Sequence, residues 1–295
     1  MRYEGNLVVP PSARQGYVLQ VSMGCSHNKC TFCNFFKDKP FKIRPIEEVF
    51  EDIEMARKAY KNVPSIFLVD GNVLCMGMDR LRPILKKLQE TFPESKATNM
   101  YGTYRDFISK GVKDMEELYS LGVRMIAVGL ESGSNEILTK VNKGVTKEEI
   151  LSVGDKLKQT KLTHGISVLL GLGGQDNSAD HIQSTIDVIN NNEPTGGIAL
   201  AVLVPQLNTL LIDEINSGEF ILPTYRQIID EELAIVDGIN VKRPTEIFSG
   251  LYMPGGAIIQ GILPQDKEKV IFAIKNRRVE LASILDTPIS MNRNI

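Results

Sequence analysis

The sequence predicts an α/β fold on a parallel sheet, closed or open, and three observations carry that reading. Apolar runs of strand length stop at Gly or Pro, an amphipathic helix follows each, and the unit recurs six times. Strand–helix units in series take right-handed crossovers, and ligands then gather beyond the carboxyl ends of the strands.

The first strand spans residues 17–22, and a cysteine-rich loop follows it. Pro45 then opens a helix whose Ile46, Val49, Phe50, Ile53, Ala56 and Tyr60 share one face. Residues 65–69 form the second strand, ended by Asp70-Gly71-Asn72, and Leu81, Ile84, Leu85 and Leu88 mark the next helix. Residues 97–101 are a third strand, followed by a helix with Met115, Leu118 and Leu121 that stops at Gly122. Residues 124–130 are the fourth strand, and a helix begins near Ser134. Thr146 and Glu149 have the spacing of a capping box. Residues 165–170 are a near-continuous apolar run, as a strand buried on both faces requires. A helix over 181–189 and a sixth strand over 198–204 complete the series.

Beyond Phe220 the pattern changes to a helix (225–236), a strand (246–252), a Pro-Gly-Gly turn and a last helix (266–285), with a frayed tail from Asp286. The expected division is a core over 1–220 and an extension over 221–295 that caps the same core. At 295 residues, 42% hydrophobic and 24% charged, the chain has ample material for a core. A net charge of −2 supplies no global field for nucleic acid or an anionic membrane. The short basic runs 37–39 and 276–278 read as solvated helix ends and loops. No apolar run reaches the roughly 18 residues of a membrane span, and residues 1–9 lack a signal-peptide layout. The chain is therefore expected in the cytoplasm, where four cysteines do not make a disulfide framework.

Three of them, Cys25, Cys30 and Cys33, form a C-x4-C-x2-C loop after a strand. Thiolates bind iron–sulfur clusters or zinc. A closed zinc site takes a fourth ligand, and His27 is the available one, although it lies inside the first cysteine interval. Three thiolates alone leave one iron of a four-iron cluster open for reaction.

The loop resembles that of the radical S-adenosylmethionine (SAM) superfamily, whose pattern is C-x3-C-x2-C with an aromatic before the last cysteine; Phe32 fits, and the first interval is one residue longer here. Three further stretches are similar, and closest to the branch of oxygen-independent coproporphyrinogen oxidase and the Elongator catalytic subunit. They are Gly129-Leu130-Glu131-Ser132-Gly133-Ser134 through Asn142-Lys143-Gly144, Leu169-Leu170-Gly171-Leu172, and Leu203-Val204-Pro205 through Asn208-Thr209-Leu210.

The resemblance implies a partial (β/α)6 TIM-like barrel with a C-terminal helical and strand extension. It implies a [4Fe-4S] cluster on Cys25, Cys30 and Cys33, and SAM cleaved to methionine and an oxygen-sensitive 5′-deoxyadenosyl radical chemistry. Asp70, Gly71 and Asn72 stand where the family's Gly-Gly-Glu meets the methionine amino group, although Asn72 suits a plain turn equally. Glu131 is implied at the ribose, and Lys143 at the methionine carboxylate or else at an exposed helix end. Tyr101 and Ser167 align with further cofactor contacts, and Val202 with an adenine contact. Arg105 reaches a carboxylate or solvent. Gly171-Leu172-Gly173-Gly174 lacks the full dinucleotide spacing and suits a close approach to SAM or a turn.

Cys75 is expected to pack as a small hydrophobe. His181 is expected on a surface helix, and His164 is a candidate substrate contact. The segment from Ser249 to Gly256 is expected to face the substrate, with Tyr252 and Met253 as contacts. The expected partners are a small-molecule or peptide substrate and an electron donor such as flavodoxin or ferredoxin, with no membrane and with nucleic acid disfavoured; the alternatives are a zinc-stabilised binding protein and an RNA-modifying member of the same superfamily.

Overall fold

The computed structural model describes residues 1–10, 13, 16–255 and 257–290. Its internal contacts divide the chain into two compact units: Met1–Asn28, Phe35–Val128 and Asp155–His164 in the first, and Lys29–Asn34, Gly129–Gly154 and Gly165–Ile295 in the second.

The elements run β1 (Tyr17–Gln20), β2 (Ser22–Met23), β3 (Lys42–Ile43), α1 (Ile46–Ala59), β4 (Ile66–Val69), α2 (Met78–Thr91), β5 (Thr98–Gly102), α3 (Tyr104–Ser109), α4 (Val112–Ser120) and β6 (Val123–Glu131). After these come α5 (Asn135–Lys140), α6 (Lys147–Leu157), β7 (Thr163–Leu170), α7 (Ser178–Asn192), β8 (Ile198–Val202), α8 (Leu210–Ser217), α9 (Tyr225–Gly238), β9 (Thr245–Leu251), β10 (Ile259–Leu263) and α10 (Lys267–Glu280). The six expected strand–helix units are all present, and the fold is the α/β class of a partial TIM-like barrel. Among the described residues β1 pairs with β4 only and β10 with β9 only.

In the first unit the strands pair in the order β1-β4-β5-β6, all parallel. β4 is buried along its whole length, which is why its sequence is continuously apolar. α1 buries Val49, Ile53 and Ala56, with Glu47 and Glu48 in its first turn and Arg57 and Lys58 in its last, the order its dipole favours. Phe67 and Val69 form a cluster with Ala13, against which Leu7, Val9, Val18, Tyr101, Met125 and Ala127 pack. Residues 1–6 are bound alongside: Arg2 pairs with Asp52, the Tyr3 hydroxyl donates to the Val18 carbonyl, and Glu4 exchanges hydrogen bonds with the Gln20 side chain.

In the second unit β7, β8 and β9 are parallel and β10 is antiparallel to β9. The C-terminal extension thus adds strands to a sheet as well as helices. Glu232 and Arg277 form a buried ion pair, 2.8 Å at the nearest approach, which joins α9 to α10; Ser249 of β9 donates to the same carboxylate. Burial pushes the Glu232 carboxyl up, against the pull of Arg277. The expected capping box is formed, with Thr146 N donating to Glu149 Oε2 (2.8 Å) and Glu149 N to Thr146 Oγ1 (3.2 Å).

Several expectations are corrected. Helix α7 starts three residues earlier than the apolar spacing suggests, and its His181 is fully buried. The tail does not fray at Asp286: Arg226 holds that carboxylate at 2.7 Å, Thr224 bridges to Pro288, and Ile289 is buried. The short β2–β3 ladder, α3, α8 and β10 carry too few residues for their periodicity to stand out. Gly256 of the Pro-Gly-Gly turn and residues 291–295 lie outside the described residues. Among the described residues no helix is long and apolar enough to cross a membrane.

Candidate functional site

The cysteine loop leaves β2 at Gly24, whose φ of +69° suits a residue without a Cβ, and Asn28 turns it again at φ +44°. The first unit holds its beginning. Asn28 Nδ2 donates to the Phe36 carbonyl at 2.8 Å, and Gly24 N to Asp70 Oδ2 at 3.4 Å. Asn72 Nδ2 donates to Ser26 Oγ at 2.7 Å, and Arg105 Nη1 stands 3.2 Å from His27 Nδ1. The second unit holds the rest: Thr31 N donates to the Val141 carbonyl, Leu211 N to the Thr31 carbonyl, and Asn34 binds Gln206 and Leu207. Phe32 is half-buried there.

Cys25, Cys30 and Cys33 are each half-buried and in no disulfide. Thiols of that kind are the donors an iron–sulfur cluster takes, so the donor set fits the group by its chemistry. Among the described residues no three His, Cys, Asp or Glu side chains are gathered into a metal-binding group, for zinc or for iron.

In the first unit the turn after β4 is tightly built. Val73 N and Leu74 N both donate to the Tyr101 carbonyl, at 3.0 and 3.1 Å, while the Tyr101 ring stands edge-on to Phe67. Asp70 is fully buried, and its partner is Lys39, Nζ to Oδ2 3.2 Å. Burial raises its carboxyl pKa, and Lys39 and the Gly24 amide offset part of that rise. Lys39 and the Gly24 amide both meet Oδ2, while Oδ1, the other oxygen of the carboxylate that is expected at the methionine amino group, has no hydrogen-bond partner among the described residues. A Cβ on Gly71 would lie 2.6 Å from the Phe36 ring, so this glycine admits an aromatic side chain. Asn72 is buried as well. Cys75 is half-buried; its Sγ donates to the Asn72 carbonyl (3.1 Å), and burial pushes its thiol up to about 11. His164 is buried, with its ring edge-on to Tyr104.

In the second unit Glu131 ends β6 with φ +64°, a backbone form that few side chains adopt. Its Oε1 meets Lys143 Nζ at 2.8 Å, with 12% and 13% of the two side chains exposed. Lys143 is thus no solvated helix end. Gly129 makes room for the pair, because a Cβ there would fall 1.9 Å from Glu131 Oε1. Behind it Ser132, His181 and Glu231 form a buried polar thread: Ser132 Oγ lies 2.8 Å from His181 Nδ1, and Glu231 Oε1 lies 3.4 Å from His181 Nε2. Glu231 also accepts from Gly171 N (2.6 Å) and Ser178 Oγ (2.8 Å). Sequence reasoning missed this thread, which no local motif announces.

Gly171 has φ +85°, and a Cβ on it would strike Ile228 of α9 at 2.6 Å, so the Gly171–Gly174 segment is a turn packed under a helix. Ser167 is half-buried on β7 and Val202 is buried at the end of β8. Tyr252 is 53% exposed with φ +64°, whereas Met253 is buried, so only the tyrosine of that pair presents a surface.

A family model described as the Radical SAM superfamily matches residues 19–189, more than half of the chain. Among curated proteins, the tRNA-2-methylthio-N(6)-dimethylallyladenosine synthase of Fusobacterium nucleatum subsp. nucleatum is 25% identical over 178 residues. That match takes in 58% of this chain and 40% of the relative, so the chain spans well under half of the relative's length. The radical S-adenosylmethionine methyltransferase TsrM from Kitasatospora setae, solved with cobalamin and a [4Fe-4S] cluster, is similar with a TM-score of 0.55 and 15% identity, over 73% of this chain and 43% of that one. Methylornithine synthase (PylB) has a TM-score of 0.51 and 14% identity, over 91% and 85%. At these identities the solved structures share the fold. The curated match is to a methylthiotransferase-type enzyme, a different branch from the one expected.

Proposed function

The chain belongs to the radical SAM superfamily, and from that premise we propose that Cys25, Cys30 and Cys33 hold its [4Fe-4S] cluster and that SAM binds beside them. The carrying observation is the set of three thiols, in no disulfide and spaced C-x4-C-x2-C, inside the stretch that matches the family. When bound, the cluster supplies the electron that cleaves SAM to methionine and a 5′-deoxyadenosyl radical, which takes hydrogen from the substrate. The protein's own residues bind and orient. Lys143, already placed as a cation beside Glu131, suits the methionine carboxylate, and Glu131 suits the ribose hydroxyls. Tyr101, Ser167 and Val202 suit the remaining surface of the cofactor, and Gly71 and Asn72 its methionine end. Tyr252 suits the substrate.

We infer a small-molecule or peptide substrate, reduced flavodoxin or ferredoxin as electron donor, and a reducing compartment such as the cytoplasm. The even charge balance supports the first and the disulfide-free cysteines the last. A second reading, methylthio transfer or another modification of RNA or protein, is favoured by the curated relative, whose name places its action on tRNA.

Anaerobic reconstitution with iron and sulfide tests the core of this. The expected result is four irons and four sulfides per chain, and 5′-deoxyadenosine when dithionite and SAM are added; zinc-only loading with no SAM cleavage sinks it. Mass spectrometry of nucleosides after incubation with bulk tRNA separates the two readings of the substrate.

A further inference from the structure

We propose that Lys39 and Asp70 are positioning residues for the first cysteine, a buried clasp that fixes the Gly24–Cys25 end of the thiol loop to the end of β4. The proposal rests on the reading of Cys25 as a cluster thiolate and adds residues to it.

An isolated carboxylate as buried as Asp70 is strongly disfavoured unless it is paired and hydrogen-bonded. Lys39 supplies the charge, and it is itself only 5% exposed. Its Nζ also donates to the Asn6 carbonyl and stands 5.4 Å over the centre of the Phe36 ring. The carboxylate oxygen that meets Lys39 is the one that accepts from Gly24 N. The backbones also close: a Cβ on Gly24 would stand 2.8 Å from the Lys39 carbonyl oxygen. Around this centre Phe36 lies against Gly71, Asn28 donates to the Phe36 carbonyl, and Lys37 Nζ donates to the Asn28 carbonyl at 2.7 Å. The segment after the cysteines therefore doubles back on the residues before and beside Cys25. An apolar pair would fill the same volume, but it would give the Gly24 amide no acceptor. Direction, beyond stability, is what the ion pair contributes. It also accounts for an Asp at the first position of Asp70-Gly71-Asn72, where the family has Gly: that residue faces Lys39.

The test uses the full chain, reconstituted anaerobically, in four forms: wild type, Lys39→Met, the double variant Lys39→Met/Asp70→Leu, and Cys25→Ala. Removing a residue that orients a ligand loop weakens metal retention about 10–100-fold. Lys39→Met is expected to lose iron to an excess of chelator faster by that factor, with an altered EPR spectrum of the reduced cluster. The double variant leaves no buried orphan charge, so the cluster-free chain should unfold closer to the wild-type temperature than Lys39→Met does, while its cluster is still lost quickly. Wild-type retention and spectrum in both variants overturn the clasp. A full cluster in Cys25→Ala overturns the ligand reading beneath it, which is a separate outcome. Hydrogen exchange on the wild-type chain needs no substitution: the Gly24 amide should be protected, and exchange at the rate of an open loop overturns the proposal even if both variants fail to fold.

Discussion

Glu131 and Lys143, twelve positions apart, are joined by a 2.8 Å ion pair at the end of β6. Two residues that the resemblance assigns to different ends of a cofactor are thus each other's partner in the protein alone, and Gly129 leaves the space they fill.

A zwitterionic ligand that enters must exchange this pair for contacts of its own. A charge-assisted hydrogen bond contributes about 1.5–3 kcal/mol, so Lys143→Met is expected to weaken SAM binding about tenfold or more, measured by equilibrium dialysis under anaerobic conditions. Glu131→Gln keeps the shape and should have a smaller effect. Unchanged affinity in Lys143→Met removes this lysine from the site.

Gly71 and Phe36 should behave as one unit. Gly71→Ala places a methyl 2.6 Å from the ring, and overpacking of this kind destabilises by about 1–3 kcal/mol. Phe36→Leu should relieve much of that loss when the two are combined. Additive effects in urea unfolding of the cluster-free chain would show that the ring and the glycine are not in contact.

Breaking the Glu232–Arg277 pair from one side strands a buried carboxylate. Arg277→Met should therefore lower stability by about 3–5 kcal/mol, while Glu232→Leu/Arg277→Met recovers most of it, because neither charge is then left without its partner. A double variant as unstable as the single one would assign the loss to packing.

Cys75 should resist alkylation. With its thiol pushed up to about 11 by burial, little thiolate forms at pH 8, and iodoacetamide should label it about a hundredfold more slowly than an exposed cysteine. The fold favours the protonated thiol, so the associated stability is fully present below the unfolded value of about 8.5 and is lost as pH rises towards the folded one. Urea unfolding of wild type and Cys75→Ser at pH 7.5 and 10 checks the sign: the difference between them should shrink at the higher pH.

The strands, the main helices, the capping box and the thiol loop were legible because their signals are local. Periodicity, a three-residue cap spacing and a nine-residue cysteine motif all lie within one element. The pairings that give the candidate site its shape were not, because they join distant residues: Lys39 to Asp70 across 31 positions, and Ser132 to His181 across 49. His181 shows why. On an otherwise polar helix start a histidine suits a solvated face, and only the fold reveals a serine on one side of the ring and a glutamate on the other. The positive φ of Glu131 was equally hidden, since that backbone form usually announces itself through Gly or Asn.

The polar thread of Ser132, His181 and Glu231 has an evolutionary corollary. Loss of Ser132 leaves His181 Nδ1 without its partner, and loss of Glu231 leaves the Gly171 amide and the Ser178 hydroxyl without theirs, so single replacements meet selection that coordinated ones escape. Descendants of this chain should therefore inherit the three positions as a block, or exchange them together for side chains that have no polar atoms to satisfy.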